Sequence, residues 1–195
     1  MFTKINTTFS TWMERLKKIS VVLGTWGFIF AVVTIAGFRV GYDYDDTLVF
    51  SAPAFEKAGD SGAIINSPDY WRTLNQSYDI EKTKILPYLS AWFLKIMGFR
   101  ISVISERGSI GAEALVKLWK PLVSDFYFVP GQNQKYVILA ADRYVLYFGD
   151  SDSDIIQARQ SEVIPLRIKR SKKSGNKADY SPGKLREIVI PLSDF

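Results

Sequence analysis

The chain has 195 residues, 47% of them apolar, with 25 basic and 20 acidic side chains and a formal charge of +5. That length holds one domain with a short appendage, and that apolar content excludes a disordered protein. With no histidine and no cysteine, the chain excludes Ser-His-Asp and Cys-His catalysis, phosphohistidine chemistry, thiolate phosphatases and the usual zinc ligands. Hydrolytic chemistry must then rest on carboxylates, hydroxyls, lysine, arginine and a hard metal held by oxygen. The charge comes largely from two local clusters, so it does not argue for a nucleic-acid polymer as partner.

Residues 1–18 carry Lys4, Arg15, Lys17 and Lys18, and residues 19–38 carry no charge. A run of about twenty apolar residues is long enough to cross hydrocarbon. Basic residues ahead of it mark the cytoplasmic side, so the rest of the chain is expected beyond the membrane. Residues 1–38 are read as a basic segment followed by a transmembrane anchor or a secretory signal, and residues 39–195 as the soluble domain. Thr34-Ile35-Ala36 has small residues suited to cleavage, while the length of the run favours an anchor. The expected location is the bacterial cell envelope, anchored on the periplasmic side of the inner membrane or secreted to the periplasm. A cytoplasmic protein with a misread helix is a further reading, opposed by Trp26, Phe28 and Phe30, which leave no polar face.

Residues 38–42 read as a strand that ends in Asp43, Asp45 and Asp46, followed by Thr47. A parallel strand that delivers acids at its carboxyl end puts them where open α/β sheets bind ligands. If the strand unwinds there, Asp43 and Asp45 reach one small volume, as a nucleophile and an acid/base would. Residues 52–66 read as a loop holding Phe55. Ser67-Pro68 then caps a helix that carries Trp71. A longer helix over residues 83–97, closed by Gly98, is expected to pack through Leu86, Leu89, Phe93 and Ile96. A second strand, residues 99–104, ends at Ser105-Glu106-Arg107-Gly108. The next helix presents Ala112, Leu115, Val116 and Trp119, and a third strand follows around residues 125–129.

After the turn Pro130-Gly131-Gln132-Asn133, a short helix begins near Lys135. A fourth strand, residues 144–148, ends in GDSDSD, which contains Asp150, Asp152 and Asp154. A helix and a strand over residues 163–168 complete the alternation, which implies a mostly parallel sheet covered on both faces. Residues 169–184 hold six basic residues and one acid and read as a solvated loop able to touch anionic head groups. Residues 187–191 read as a final edge strand.

Acids for a divalent cation and cations for an anion thus stand after successive strands, a combination suited to phosphoryl transfer. The order D-x-D-x-T, Ser105, Lys135, G-D-x-x-x-D resembles the haloacid dehalogenase superfamily. VGYDYDDTLVFSAPAF, PDYW, ISERGS, PGQNQK and YFGDSDSDIIQAR more narrowly resemble the bacterial class B acid phosphatases, over residues 39–195. The resemblance implies a Rossmann-like sheet with a small helical insert after the first strand, and a magnesium-dependent phosphomonoesterase.

Carried over, it makes Asp43 the nucleophile that forms an aspartyl-phosphate, and Asp45 the acid that protonates the leaving alcohol and then deprotonates water. Mg²⁺ would be held by Asp43, the Asp45 carbonyl and Asp150, with Asp154 supporting its waters. Ser105, Lys135 and Arg107 would bind the phosphoryl group, and Phe55 and Trp71 a nucleoside or aryl leaving group. Three departures stand out, one being a segment between Arg107 and Lys135 shorter than the family's, so that part of the pocket wall is expected to be rebuilt. Ser105-Glu106 replaces a Thr-Gly pair, adding charge near the anion site. The family's stretch between signal and first strand, which assists oligomer assembly, is missing, so the resemblance leaves the oligomeric state open. A tethered interaction subunit with little catalysis is the alternative.

Overall fold

The computed structural model describes residues 2–129, 131 and 134–194. The turn expected at residues 130–133 lies mostly outside them. The chain divides into two units, Met1–Ala36 and Gly37–Phe195.

The first unit is one helix, α1 (Phe2–Ile35). Its segment Trp12–Ile35 is 24 residues long and apolar enough to cross a membrane. At 1.5 Å per residue it spans about 36 Å, more than the hydrocarbon core. The Thr25 and Thr34 hydroxyls donate to the carbonyls of Val21 (2.9 Å) and Phe30 (2.8 Å), so these polar groups are satisfied within the helix itself.

The second unit runs β1 (Arg39–Tyr42), β2 (Val49–Phe50), α2 (Ala52–Asp60), α3 (Pro68–Gln76), a 3₁₀ turn (Tyr78–Ile80) and β3 (Lys82–Thr83). Then come α4 (Ile85–Ile96), β4 (Arg100–Ser105), α5 (Glu113–Trp119), β5 (Asp125–Phe128), α6 (Lys135–Ala141), β6 (Tyr144–Gly149), α7 (Asp152–Gln160), β7 (Ile164–Arg167) and β8 (Ile188–Val189). Among the described residues the sheet has the order β5-β4-β1-β6-β7-β8, with every pair parallel. From β1 the chain winds outward to β4 and β5, then returns to β6 on the other side of β1. The order therefore reverses between β1 and β6, and a crevice opens at their carboxyl ends.

Alternate residues of the strands feed two cores. Val40, Tyr42, Ile101 and Val103 pack with Ala91 of α4 and Leu115 and Trp119 of α5. Ile104 and Tyr147 pack with Leu139 of α6 and Ala158 of α7. The expected α/β class with both faces covered is what forms.

Two expectations need correction. Residues 52–66 are not wholly loop. Ala52-Pro53 opens α2, because proline is tolerated in a first helical turn, and Ala54 and Ala58 pack with Tyr70 and Leu74 of α3 as the insert's own core. The Gly and Asp content of this stretch concealed a helix face made of alanines.

In α4 the expected inward face is wrong. Leu86, Leu89, Phe93 and Ile96 are exposed, while Pro87 and Ala91 are buried, with Tyr88, Trp92 and Leu94 packed against the core. A helix apolar on all sides offers more than one stripe, so periodicity cannot choose between them. Contacts from other elements fix its rotation: Tyr42 Oη to Ser90 Oγ (2.9 Å), and Lys95 Nζ donating to the carbonyls of Pro121 (2.5 Å) and Leu122 (3.2 Å).

Candidate active site

β1 unwinds after Tyr42. The Asp43 N–H still donates to Phe148 O (2.8 Å), and then the N–H groups of Leu48 and Val49 both return to Tyr44 O (3.0 and 3.2 Å). In this loop Asp46 has a φ of 53°, a left-handed conformation that aspartate tolerates better than most residues. The turn brings Asp43 and Asp45 out of the sheet and sends their carboxylates to different cations.

Asp43 meets Lys135. The buried ammonium lies 2.7 Å from Asp43 Oδ1 and 2.7 Å from Asp154 Oδ1, with Glu106 Oε1 at 3.6 Å. Asp154 is fixed by its own motif. Ser151 caps α7, its Oγ accepting from the Asp154 N–H (3.0 Å), and Asp154 Oδ2 accepts from the Ser151 N–H (3.1 Å), a reciprocal capping box. The box folds Asp154 over Gly149, where an added Cβ would lie 2.4 Å from the Cβ of Asp154. Asp150 accepts from Thr47 Oγ1 (3.0 Å) on one oxygen and from Arg170 Nε on the other. Arg167 Nη1 donates to the Asp150 carbonyl (2.7 Å).

Asp45 forms a second cluster. Arg107 donates to its carboxylate from Nε (3.0 Å) and Nη2 (2.6 Å), and Nη2 also reaches Glu81. The guanidinium lies between the rings of Tyr44 (4.8 Å) and Phe55 (5.4 Å), and Tyr44 Oη donates to Glu81. Arg107 Nη1 is buried with no partner among the described residues. Ser105 is fully buried, its Oγ accepting the Arg107 N–H (3.3 Å). Trp71 packs edge-on to Tyr70 (5.3 Å) and so close to Gly108 that a Cβ there would meet the indole at 2.6 Å.

The expected residues therefore fall into two adjoining groups. Asp43, Lys135, Asp150 and Asp154 share one volume. Asp45 and Arg107 pair beside it, with Phe55 against the guanidinium, Ser105 holding the arginine backbone and Trp71 beyond Gly108.

Burial dominates the electrostatics. It pushes the Asp43 carboxyl well above its ordinary range, and Asp154, Asp150 and Asp45 add to this while Lys135 opposes it. Burial and the neighbouring Asp154 push Asp150 up to about 6, against Arg170. Burial also works against an ionised Asp154, but Lys135 and the Ser151 hydrogen bonds hold it below the usual carboxylate range. Burial alone would lower Lys135, and Asp154 and Asp43 outweigh it, so the lysine stays charged. Burial raises Glu106.

Oxygens of Asp43, Asp150 and Asp154 lie within 4.8 Å of one another. Three buried carboxylates, with neither nitrogen nor sulfur among the donors, fit a hard divalent cation. Such a charge would relieve the repulsion that raises Asp43 and Asp150. The Asp45 carboxylate is outside this group because Arg107 holds it.

Several groups at the site escaped sequence reasoning. The basic tail is not simply solvated: Arg170 reaches Asp150, and Ser174 Oγ donates to Asp46 Oδ2. Lys84 is buried and donates to the carbonyls of Asp46 (2.7 Å) and Lys169 (2.6 Å); its burial lowers it to about 8 despite Asp150 and Asp46 nearby. Glu81 closes the Arg107 cluster. Nothing in a lysine-rich run marks the one arginine that turns inward, and nothing in YDIEKT marks Glu81. Each is selected by a partner more than twenty positions away or on another loop.

The chain is similar to known proteins in sequence and in fold. The chain is 30% identical over 177 residues to the class B acid phosphatase of Citrobacter rodentium, covering 80% of this chain and 73% of that protein. It is 30% identical over 176 residues to the class B acid phosphatase of Klebsiella pneumoniae, with the same coverage. Among solved structures, a haloacid dehalogenase-like family hydrolase from Streptococcus pneumoniae superposes with a TM-score of 0.52 at 15% identity, over 80% of this chain and 95% of that one. A hydrolase from Pseudomonas syringae gives 0.53 at 16% identity with the same coverage. These two establish the fold alone. No family model matches the chain.

Proposed function

This chain belongs to the class B acid phosphatase family of the haloacid dehalogenase superfamily, and from that premise we propose that it is a Mg²⁺-dependent phosphomonoesterase held at the periplasmic face of the inner membrane. The observation that carries the reading is the shared volume of Asp43, Lys135, Asp150 and Asp154. It joins a nucleophile, a cation binder and a fixed positive charge.

In this reading Asp43 attacks phosphorus. An Asp43 oxygen bonds to phosphorus as the ester P–O bond breaks, and Asp45 gives its proton to the departing alkoxide. Asp45 then takes a proton from water as that water attacks phosphorus, releasing phosphate and restoring Asp43. Lys135 steadies charge on Asp43 and on the phosphoryl oxygens. The orphan Nη1 of Arg107 is a buried donor, and a phosphate oxygen would satisfy it at the moment of binding. That exchange would loosen the grip of Arg107 on Asp45 and free the carboxyl for proton transfer. When bound to Asp43, Asp150 and the Asp45 carbonyl, Mg²⁺ would supply charge neutralisation for the transferred group. Phe55 and Trp71 would line the leaving-group side, where an aryl or nucleoside group can stack.

The test is phosphate release from p-nitrophenyl phosphate and nucleoside monophosphates by the full chain. Activity is expected to vanish with EDTA and return with Mg²⁺. Activity indifferent to both would remove the metal from the reading.

The titration of Asp150 adds a sign. With its carboxyl near 6, protons compete with the cation below that pH. The Mg²⁺ concentration for half-maximal activity is expected to rise by about tenfold or more per pH unit on going from about pH 6 to about pH 5, because Asp150 and the raised Asp43 both take up protons that the cation must displace. A flat dependence would take Asp150 out of the cation site.

The second reading, a tethered interaction subunit with little catalysis, draws on Arg170, which takes an Asp150 oxygen that a cation would use. Stable co-purification with a membrane partner, without Mg²⁺-dependent hydrolysis, would favour it. For location, the supports are the basic residues Arg15, Lys17 and Lys18 ahead of an apolar helix. Intact-mass analysis of membrane-extracted protein distinguishes a retained anchor from a cleaved signal.

A further inference from the structure

We propose that the outer face of α4 lies on the surface of an anionic lipid bilayer. Ile85, Leu89, Phe93, Ile96 and Met97 recur at helical spacing as one stripe. Leu89 is 56%, Phe93 62% and Ile96 81% exposed. A contiguous apolar stripe on a surface helix marks a contact face, and apolar residues flanked by cations are the pattern of a helix lying in a membrane interface.

The surrounding charge selects lipid over a second copy of the chain. α4 runs down to the amino end of the sheet, where Arg100, Lys117 and Lys120 are exposed and have no acidic partner among the described residues. Of the acids at that end, Asp125 and Asp142 are both taken by Arg39, and the exposed Glu162 precedes β7, three strands away from β4 in the sheet order. A two-fold contact between copies would bring this excess of cations against itself, whereas anionic head groups attract each basic residue.

The chain also brings its own membrane segment. The apolar helix ends at Ile35 and β1 begins at Arg39. Within the domain, Phe38 O accepts the Arg100 N–H (3.0 Å), so the domain's first residues lie beside β4, the strand that α4 leads into. Because α4 is the crossover between the parallel strands β1 and β4, it runs antiparallel to them. A bilayer on its outer face lies along the strands, and the crevice at their carboxyl ends opens along the lipid surface.

This inference rests on α1 being a retained span, and the experiment separates the two. The full chain, naturally free of cysteine, is reconstituted into phosphatidylcholine vesicles containing phosphatidylglycerol. Single variants Phe93→Cys, Ile96→Cys and, in the insert, Ile64→Cys carry an environment-sensitive fluorophore. The labels at 93 and 96 are expected to shift to the blue, to be quenched by spin-labelled lipid and to resist iodide several-fold better than the label at 64. Phosphate release from the same vesicles reports an intact fold, since none of these positions touches the site. Equal iodide quenching at all three positions, in protein that co-floats with vesicles, overturns the inference alone. Protein that fails to float overturns the anchor as well. A blue shift that follows protein density in the vesicle, without quenching by spin-labelled lipid, assigns the face to a second copy.

Discussion

Asp43→Asn is expected to reduce phosphomonoester hydrolysis by on the order of 10⁴-fold or more while leaving the protein at least as stable as the parent. The amide has nearly the shape of the carboxylate but cannot form the acyl phosphate. The stability half follows from the surroundings. Asp43 is buried beside Asp154, Asp150 and Asp45, and its ionisation is disfavoured by burial above all and, against the pull of Lys135, by those charges. A neutral side chain removes that cost, and Lys135 keeps Asp154 as its 2.7 Å partner. Thermal melts without metal should therefore show an unchanged or higher midpoint, a trade of stability against activity. Full activity in the variant would reject Asp43 as nucleophile; loss of activity together with a large fall in stability would show that the substitution damaged the fold instead.

Lys135→Met carries the opposite expectation for stability. It removes a buried ammonium that contacts Asp43 and Asp154 and lies near Glu106, leaving two buried carboxylates uncompensated. Breaking a buried pair in this way costs about 3–5 kcal/mol, which for a domain of this size lowers the melting midpoint by roughly 10 °C. Catalysis should fall with it, because the positive charge facing nucleophile and substrate is gone. The pH dependence gives a signature. Without the lysine both carboxyls are raised in the folded state, so between the ordinary aspartate range and the raised values the folded protein binds more protons than the unfolded one. Stability then falls as pH rises through that window. The deficit should be largest near neutrality and shrink on acidification, as followed by intrinsic tryptophan fluorescence. A deficit independent of pH would mean that lost packing, not uncompensated charge, is responsible.

The arrangement also gives Glu106 a role as a competitor. It stands 3.6 Å from Lys135, at the ammonium that a phosphoryl oxygen would seek. Its carboxyl is raised by burial, so part of the cost of its charge is already present before an anion binds.

The helix α2 and the capping box of GDSDSD emerge only in the folded chain, but the sequence by itself determined the alternation of sheet strands with helices and the acids at the end of β1. These are local matters: periodicity, turn chemistry and the reach of a side chain to a backbone three residues away. Ser67 with Pro68 starting α3 belongs with them.

Only the tertiary structure decided which face of α4 is buried, because a helix apolar on all sides satisfies several stripes and Tyr42 and Pro121 choose among them. It alone turned Arg170 and Ser174 of a lysine-rich tail onto Asp150 and Asp46, and gave Arg107 a second acid in Glu81. A buried charge must find its counter-charge wherever the folded chain brings one. That partner is set by the meeting of distant loops and leaves no trace in the residues on either side of it.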